Sequence, residues 1–175
     1  MITEKNIMKT EAKFSEDRAY RYTLSKEWNK KPKAMVIMNN PSSAGEVSLD
    51  LTTLYTINNL VALDYGGCEI VNLYPKVTKK LNADDVDLRE IETSDKIIVE
   101  TAEKVDSIII AWGRVGEKSK AIEKRQNELL EKLQGFNDKL YIIGDDKGNE
   151  LFHPLAPSVR FTWRLIKYKA IKEKK

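Results

Sequence analysis

Four stretches of the chain are almost unbroken apolar blocks: Ala34 to Met38, Cys68 to Leu73, Ser107 to Trp112 and Leu140 to Ile143. A strand covered on both faces reads this way, because neither side of the pleat needs a polar residue. The segments between them change period. Leu51, Leu54, Tyr55, Asn58, Val61 and Ala62 recur at helical spacing, with Asp50 or Thr52 as the cap and Gly66-Gly67 as the stop. An acidic connector from Asn82 to Glu92 precedes a helical pattern through Ile97, Ile98, Thr101 and Val105, and Ile122, Leu129 and Leu133 mark one face of a charged helix stopped by Gly135. Asp145-Asp146-Lys147-Gly148 reads as a tight turn leading to Leu151-Phe152-His153-Pro154, after which Ser158 caps a final amphipathic helix through Trp163, Ile166 and Ile171.

Strands alternating with helices predict βα units. The expected fold is a three-layer α/β/α sandwich around a central, mostly parallel four-stranded sheet. Tyr20-Arg21-Tyr22-Thr23-Leu24 has strand-like alternation and is expected to add a short N-terminal edge strand. One domain over residues 1–175 accommodates all of this, with 1–18 as an N-terminal extension and 172–175 as a basic tail.

Composition narrows the chemistry. The lone Cys68 excludes an internal disulfide and a cysteine-based zinc cluster, and with one histidine in the chain a metal site would need carboxylates, so none is expected. There is no apolar run of the ~18 residues that a membrane helix requires and no signal-like segment near Met1, so a cytoplasmic protein is expected. Thirty Lys and Arg against 27 Asp and Glu leave a net charge of +3, which permits nucleic-acid binding without arguing for it. The distribution is more telling: from Arg160 to Lys175 seven cationic residues face Glu173 alone, as a binding surface or as a solvated helix with a frayed tail.

In parallel α/β folds ligands bind beyond the carboxyl ends of the strands, so the residues just after each block are candidates. The first block delivers Asn39-Asn40-Pro41, in which the Pro fixes the backbone and leaves the Asn40 amide able to orient a water, although Asn-Pro also simply opens turns. The second delivers Asn72, whose amide carries a donor and an acceptor, as one pyrimidine edge does, or else satisfies loop backbone. His153 is the sole imidazole, and a neutral histidine that donates to an oxygen gaining charge stabilises a leaving-group anion. Tyr55, Tyr74 and Trp112 are aromatic stacking candidates, with packing an equal account of Tyr55 and Trp112, and Cys68 reads as core. Walker, Rossmann, Gly-x-Ser-x-Gly and HExxH motifs do not occur.

The landmarks Met38-Asn39-Asn40-Pro41-Ser42-Ser43-Ala44, Val71-Asn72-Leu73, Ala111-Trp112-Gly113 and His153-Pro154-Leu155 resemble a small bacterial and phage family known as a domain of unknown function, number 1643. The same landmarks resemble the uracil-DNA glycosylase superfamily. There an Asp or Asn directly before Pro follows the first strand, a base-reading Asn ends the second, and a late His-Pro-Ser-Pro motif is echoed by His153-Pro154-Leu155-Ala156-Pro157. This resemblance implies hydrolysis of the N-glycosidic bond of uracil in DNA by a monomeric repair enzyme, without metal or organic cofactor, acting on a base flipped from the helix. Asn40 and His153 would be catalytic, Asn39, Asn72, Tyr55 and Tyr74 would contact the base, and Ser42, Ser43, Lys76 and Arg160 would contact DNA, with Leu155 or Val159 as the wedge. A DNA-mimicking protein inhibitor would be a further partner.

Three departures stand out: Asn40 replaces the Asp of the most active branch, that branch's Tyr and His after Pro are missing, and Leu155 stands where Ser is usual. Two other functions fit the same residues, a non-catalytic DNA-binding or regulatory module and a hydrolase or transferase of free nucleosides.

Overall fold

The structure of the chain, a computed structural model, describes residues 1–42, 47–80 and 87–169. In chain order its elements are β1 (Lys9–Phe14), β2 (Arg21–Glu27), β3 (Lys33–Met38), α1 (Leu51–Ala62), β4 (Gly67–Asn72), α2 (Leu88–Lys104), β5 (Ser107–Ile110), α3 (Lys120–Lys132), β6 (Leu140–Gly144) and β7 (Arg164–Lys167), with short 3-10 turns flanking α3. One seven-stranded sheet runs β1-β2-β4-β3-β5-β6-β7. The four apolar blocks are its centre: β4, β3, β5 and β6 are parallel neighbours, while β1, β2 and β7 add antiparallel margins.

Period-two alternation divides the core in two. Met35 and Ile37 of β3 point to one face with Ile108, Ile110 and Ile142, where Ile91, Ile98 and Ala102 of α2 and Ile122 and Leu129 of α3 cover them. Ala34, Val36 and Met38 point to the other with Ile70, Ile109 and Ile143, under Ile57 and Leu60 of α1 and under Val159 and Trp163. A fully buried Ile, Leu or Val contributes roughly 1.5–3 kcal/mol, so these two clusters supply most of what holds the layers together.

The margins of the sheet depart from expectation. The sheet has seven strands rather than four and an edge. The Tyr20–Leu24 pattern becomes β2, an inner strand, because the stretch read as an extension contains β1, which pairs outside it. The final helix is replaced by turns around Ala156–Thr162 and then β7. Leu165 packs into the α1-side cluster and Ile166 into the other, a two-sided burial of adjacent residues that a strand provides and a one-faced helix does not. Ile171 lies outside the described residues. Helix α2 begins inside the presumed connector, with the Asp87 side chain accepting from Arg89 N at 2.9 Å.

One buried ion pair fastens α3, α2 and the loop after β4. Arg125, with its side chain 6% exposed, donates from Nη1 and Nη2 to the Asp95 carboxylate, and from Nε to the Leu73 carbonyl at 3.0 Å. Lys132 approaches the same carboxylate at 3.6 Å. Breaking such a pair strands a charge, so Arg125→Ala or Asp95→Ala is expected to cost about 3–5 kcal/mol in chemical denaturation. The double replacement Arg125→Met with Asp95→Leu should recover most of that loss. A single-variant loss under about 1 kcal/mol, as at an exposed pair, would contradict the assignment.

Candidate active site

The parallel ladder between β3 and β4 aligns Met38 with Asn72 and continues past the strand ends, where Leu73 N donates to Met38 O at 2.8 Å and Tyr74 N to Asn39 O at 2.9 Å. Two asparagines 33 positions apart thereby fall one step apart along the ladder. Asn39 Nδ2 donates to Trp112 O at 2.9 Å, which ties it to the end of β5 and fixes its amide orientation, since the reverse would oppose two oxygens. Asn40 Nδ2 donates to Thr78 O at 2.7 Å and Pro41 O at 3.3 Å, leaving Oδ1 as the unengaged end of that side chain.

His153 arrives from the far end of the chain. Phe152 N donates to Ile143 O at 3.1 Å, and Gly113, at φ +67°, comes so close that a Cβ there would lie 3.1 Å from the His153 Cβ. Leu155 N donates to His153 Nδ1 at 3.2 Å. Nδ1 is thus the acceptor, and in the neutral ring the proton sits on Nε2. Burial lowers the His153 pKa from its ordinary value, opposed by the Asp50 charge, so the imidazole is neutral at physiological pH.

Asn39, Asn40, Asn72 and His153 line one cavity of about 110 Å³, together with Ser42, Arg21, Asp50, Thr52 and Thr53. Two of its polar atoms, Asn39 Oδ1 and Asn72 Nδ2, are buried with no partner among the described residues. An unpaired buried polar atom costs roughly 1–3 kcal/mol, and such a cost is tolerated where a ligand pairs the atom.

Asp50 and Arg21 went unrecognised as site residues in the sequence. Asp50 is the N-cap of α1 and accepts from Thr53 N at 2.7 Å and from the Ser42 hydroxyl. Burial would raise its pKa, but Ser42, Thr53 and the Arg21 charge outweigh that and hold the carboxyl below its usual value. The signal was present: a crossover helix starts at the same sheet edge at which its strand ends, so its cap shares the site.

Other candidates fall elsewhere. Tyr55 stacks edge-on against Phe161 at 5.5 Å, and Tyr74 is packed in the core beneath α2 and α3; neither lines the cavity. Val159 is fully buried and unavailable as a wedge, whereas Leu155 is 39% exposed. The Ser42 hydroxyl is turned onto Asp50, Lys76 is half-buried and bridges by backbone to Tyr20, and the half-buried Arg160 guanidinium lies over the Phe161 ring. Ser43 lies outside the described residues.

These features define a mixed α/β protein with a small polar cavity at the carboxyl edge of its parallel strands. The chain belongs to the family described as a protein of unknown function, DUF1643, whose model matches residues 21–155, a span that holds every residue lining the cavity. No curated protein matches the chain. Among the described residues no helix is long and apolar enough to cross a membrane.

Two outcomes follow from the site geometry. Because burial depresses the His153 pKa below its ordinary 6.5, the unfolded chain takes up a proton before the folded one does as pH falls. Stability is therefore lost as pH drops through 6.5 toward the lower folded value, and His153→Gln should flatten that part of a melting-temperature profile. An identical slope in the variant would contradict the buried neutral ring. Gly113→Ala should cost about 1–3 kcal/mol from its positive φ and displace His153. The imidazole signals, unique in a one-histidine chain, report that displacement by NMR, and unchanged signals would contradict it.

Proposed function

We propose that the protein hydrolyses the N-glycosidic bond of uracil in DNA, without a metal ion or organic cofactor. The observation that carries this reading is the meeting of Asn39, Asn72, Asn40 and His153 in one cavity, with a buried acceptor and a buried donor left unpaired among the described residues. Uracil presents the matching pair, an O4 acceptor for Asn72 Nδ2 and an N3–H donor for Asn39 Oδ1. Cytosine would set its amino group against the Asn72 donor.

Size supports the same reading. At about 30 Å³ per water, the roughly 110 Å³ cavity holds some three or four, well short of the ~300 Å³ at which pockets for drug-sized ligands begin. A single ring matches that space, with sugar and phosphate left outside, the posture of a base flipped from a helix. In this reading the bond from C1′ to the base breaks with its electron pair departing on the base. His153 Nε2–H donates to the oxygen that gains charge, and Asn40 Oδ1 holds the water that adds to C1′. The exposed Leu155, adjoining His153, is the side chain placed to fill the gap in the base stack, and Arg160 and Lys76 are the cations for flanking phosphates.

Purified protein incubated with an oligonucleotide bearing one uracil, then treated with alkali, should yield a strand break at that position, in single-stranded, duplex or both substrates. His153→Ala should slow release by about 10²–10³-fold, the usual consequence of removing one donor to a developing anion. Absence of breakage at high enzyme would sink the proposal. In that event, salt-sensitive DNA binding would point to a non-catalytic module, and turnover of free deoxyuridine to a nucleoside hydrolase.

A further inference from the structure

The cavity contains a carboxylate besides the amides and the imidazole of the base-excision reading. Asp50 lines it together with Asn40 and His153, although it belongs to neither strand-end motif and enters from the N-cap of α1. Capping alone would explain an aspartate at this position. It does not explain why the capped carboxylate borders a cavity whose buried Asn72, only 1% exposed, presents an unpaired amide nitrogen. Among the described residues the charged side chains lining the cavity are Arg21 and Asp50, and His153 is its imidazole.

From this placement we infer that Asp50 is a catalytic residue, supplying the negative charge that Asn40 lacks and facing the cation-like sugar as the base departs. The inference rests on the base-excision reading. As C1′ loses the base it becomes electron-poor, and a half-buried anion bordering the cavity stabilises it more strongly than water can. The water oxygen held by Asn40 bonds to C1′ while the C1′–N electron pair leaves with the base. The proton released by that water passes through the Asp50 carboxylate and solvent to the base nitrogen, so the sum is one water added across the C–N bond. The Asp50 carboxylate accepts from Thr53 N, from Ser42 Oγ and from the Thr53 side chain, three of the roughly four bonds that a carboxylate can accept, which leaves one position for this task. The same bonds and the Arg21 charge keep the carboxylate ionised despite burial.

Asp50→Asn and Asp50→Ser separate charge from capping, because Asn and Ser cap helices about as well as Asp. Both variants should melt near the wild-type temperature. Base release from a uracil-containing oligonucleotide should fall about a hundredfold in kcat with little change in KM, the pattern of an interaction made only in the transition state. Titration of the single histidine by NMR should show its pKa moving further down in both variants, as the opposing charge is removed. Wild-type kcat in the variants would overturn the role of Asp50 and leave base excision standing. An unmoved His153 pKa would overturn the placement of Asp50 across from the imidazole. If the wild-type protein itself releases no base, the catalytic inference falls together with the base-excision reading, whatever the titration shows.

Discussion

The parallel hydrogen-bonded ladder between β3 and β4 is the constraint on which the site depends. It does not stop at the strand ends: the bonds from Leu73 N to Met38 O and from Tyr74 N to Asn39 O carry it into the loops. Each such bond is worth only about 1 kcal/mol net, yet together they fix which side chains emerge next to each other. This register sets Asn72 beside Met38 and Asn39 one step further along, and a slip of one residue would turn the side chains of the shifted strand to the opposite face. The surroundings reinforce it. Arg125 grips the Leu73 carbonyl from α3, Thr78 N donates to Pro41 O, and the Asn40 amide answers by donating to Thr78 O.

Burial acts on His153 and Asp50 in the same sense, against charge, with opposite outcomes. His153 yields to it and stays neutral, able to donate from Nε2. Asp50 resists it, because a hydroxyl, the start of a helix and a guanidinium all favour the anion. A neutral donor and a fixed anion bordering the same small space form the kind of division that assigns different chemical roles to neighbouring groups.

The centre of the fold was legible because its signal was strong. Residues buried on two faces admit few polar positions, so β3, β4, β5 and β6 read as blocks, and ligand sites follow their carboxyl ends. The margins were not. Strand β1 has only Ala12 and Phe14 as apolar members, and its charged side chains are what an exposed edge requires. Trp163, just before β7, and Ile166 within it are three apart and mimic a helix face, while the register with β6, pairing Ile142 with Ile166 and Ile143 with Leu165, depends on partners some 20 positions away. Asp50 was legible as a cap and not as a site residue, since local sequence gives the helix start but not the cavity it borders. Val159 was misread for the same reason: nothing near it in the chain shows that it closes the core beside α1.

Binding of the free base isolates the recognition step from catalysis and from DNA. Adding uracil to the protein and following the side-chain amide signals of Asn39 and Asn72 and the imidazole signals of His153 by NMR reports directly on whether these groups share one ligand. All three should shift together and saturate with uracil, and cytosine at the same concentration should leave them in place. Saturating shifts confined to residues outside the cavity, or equal responses to both bases, would contradict the account.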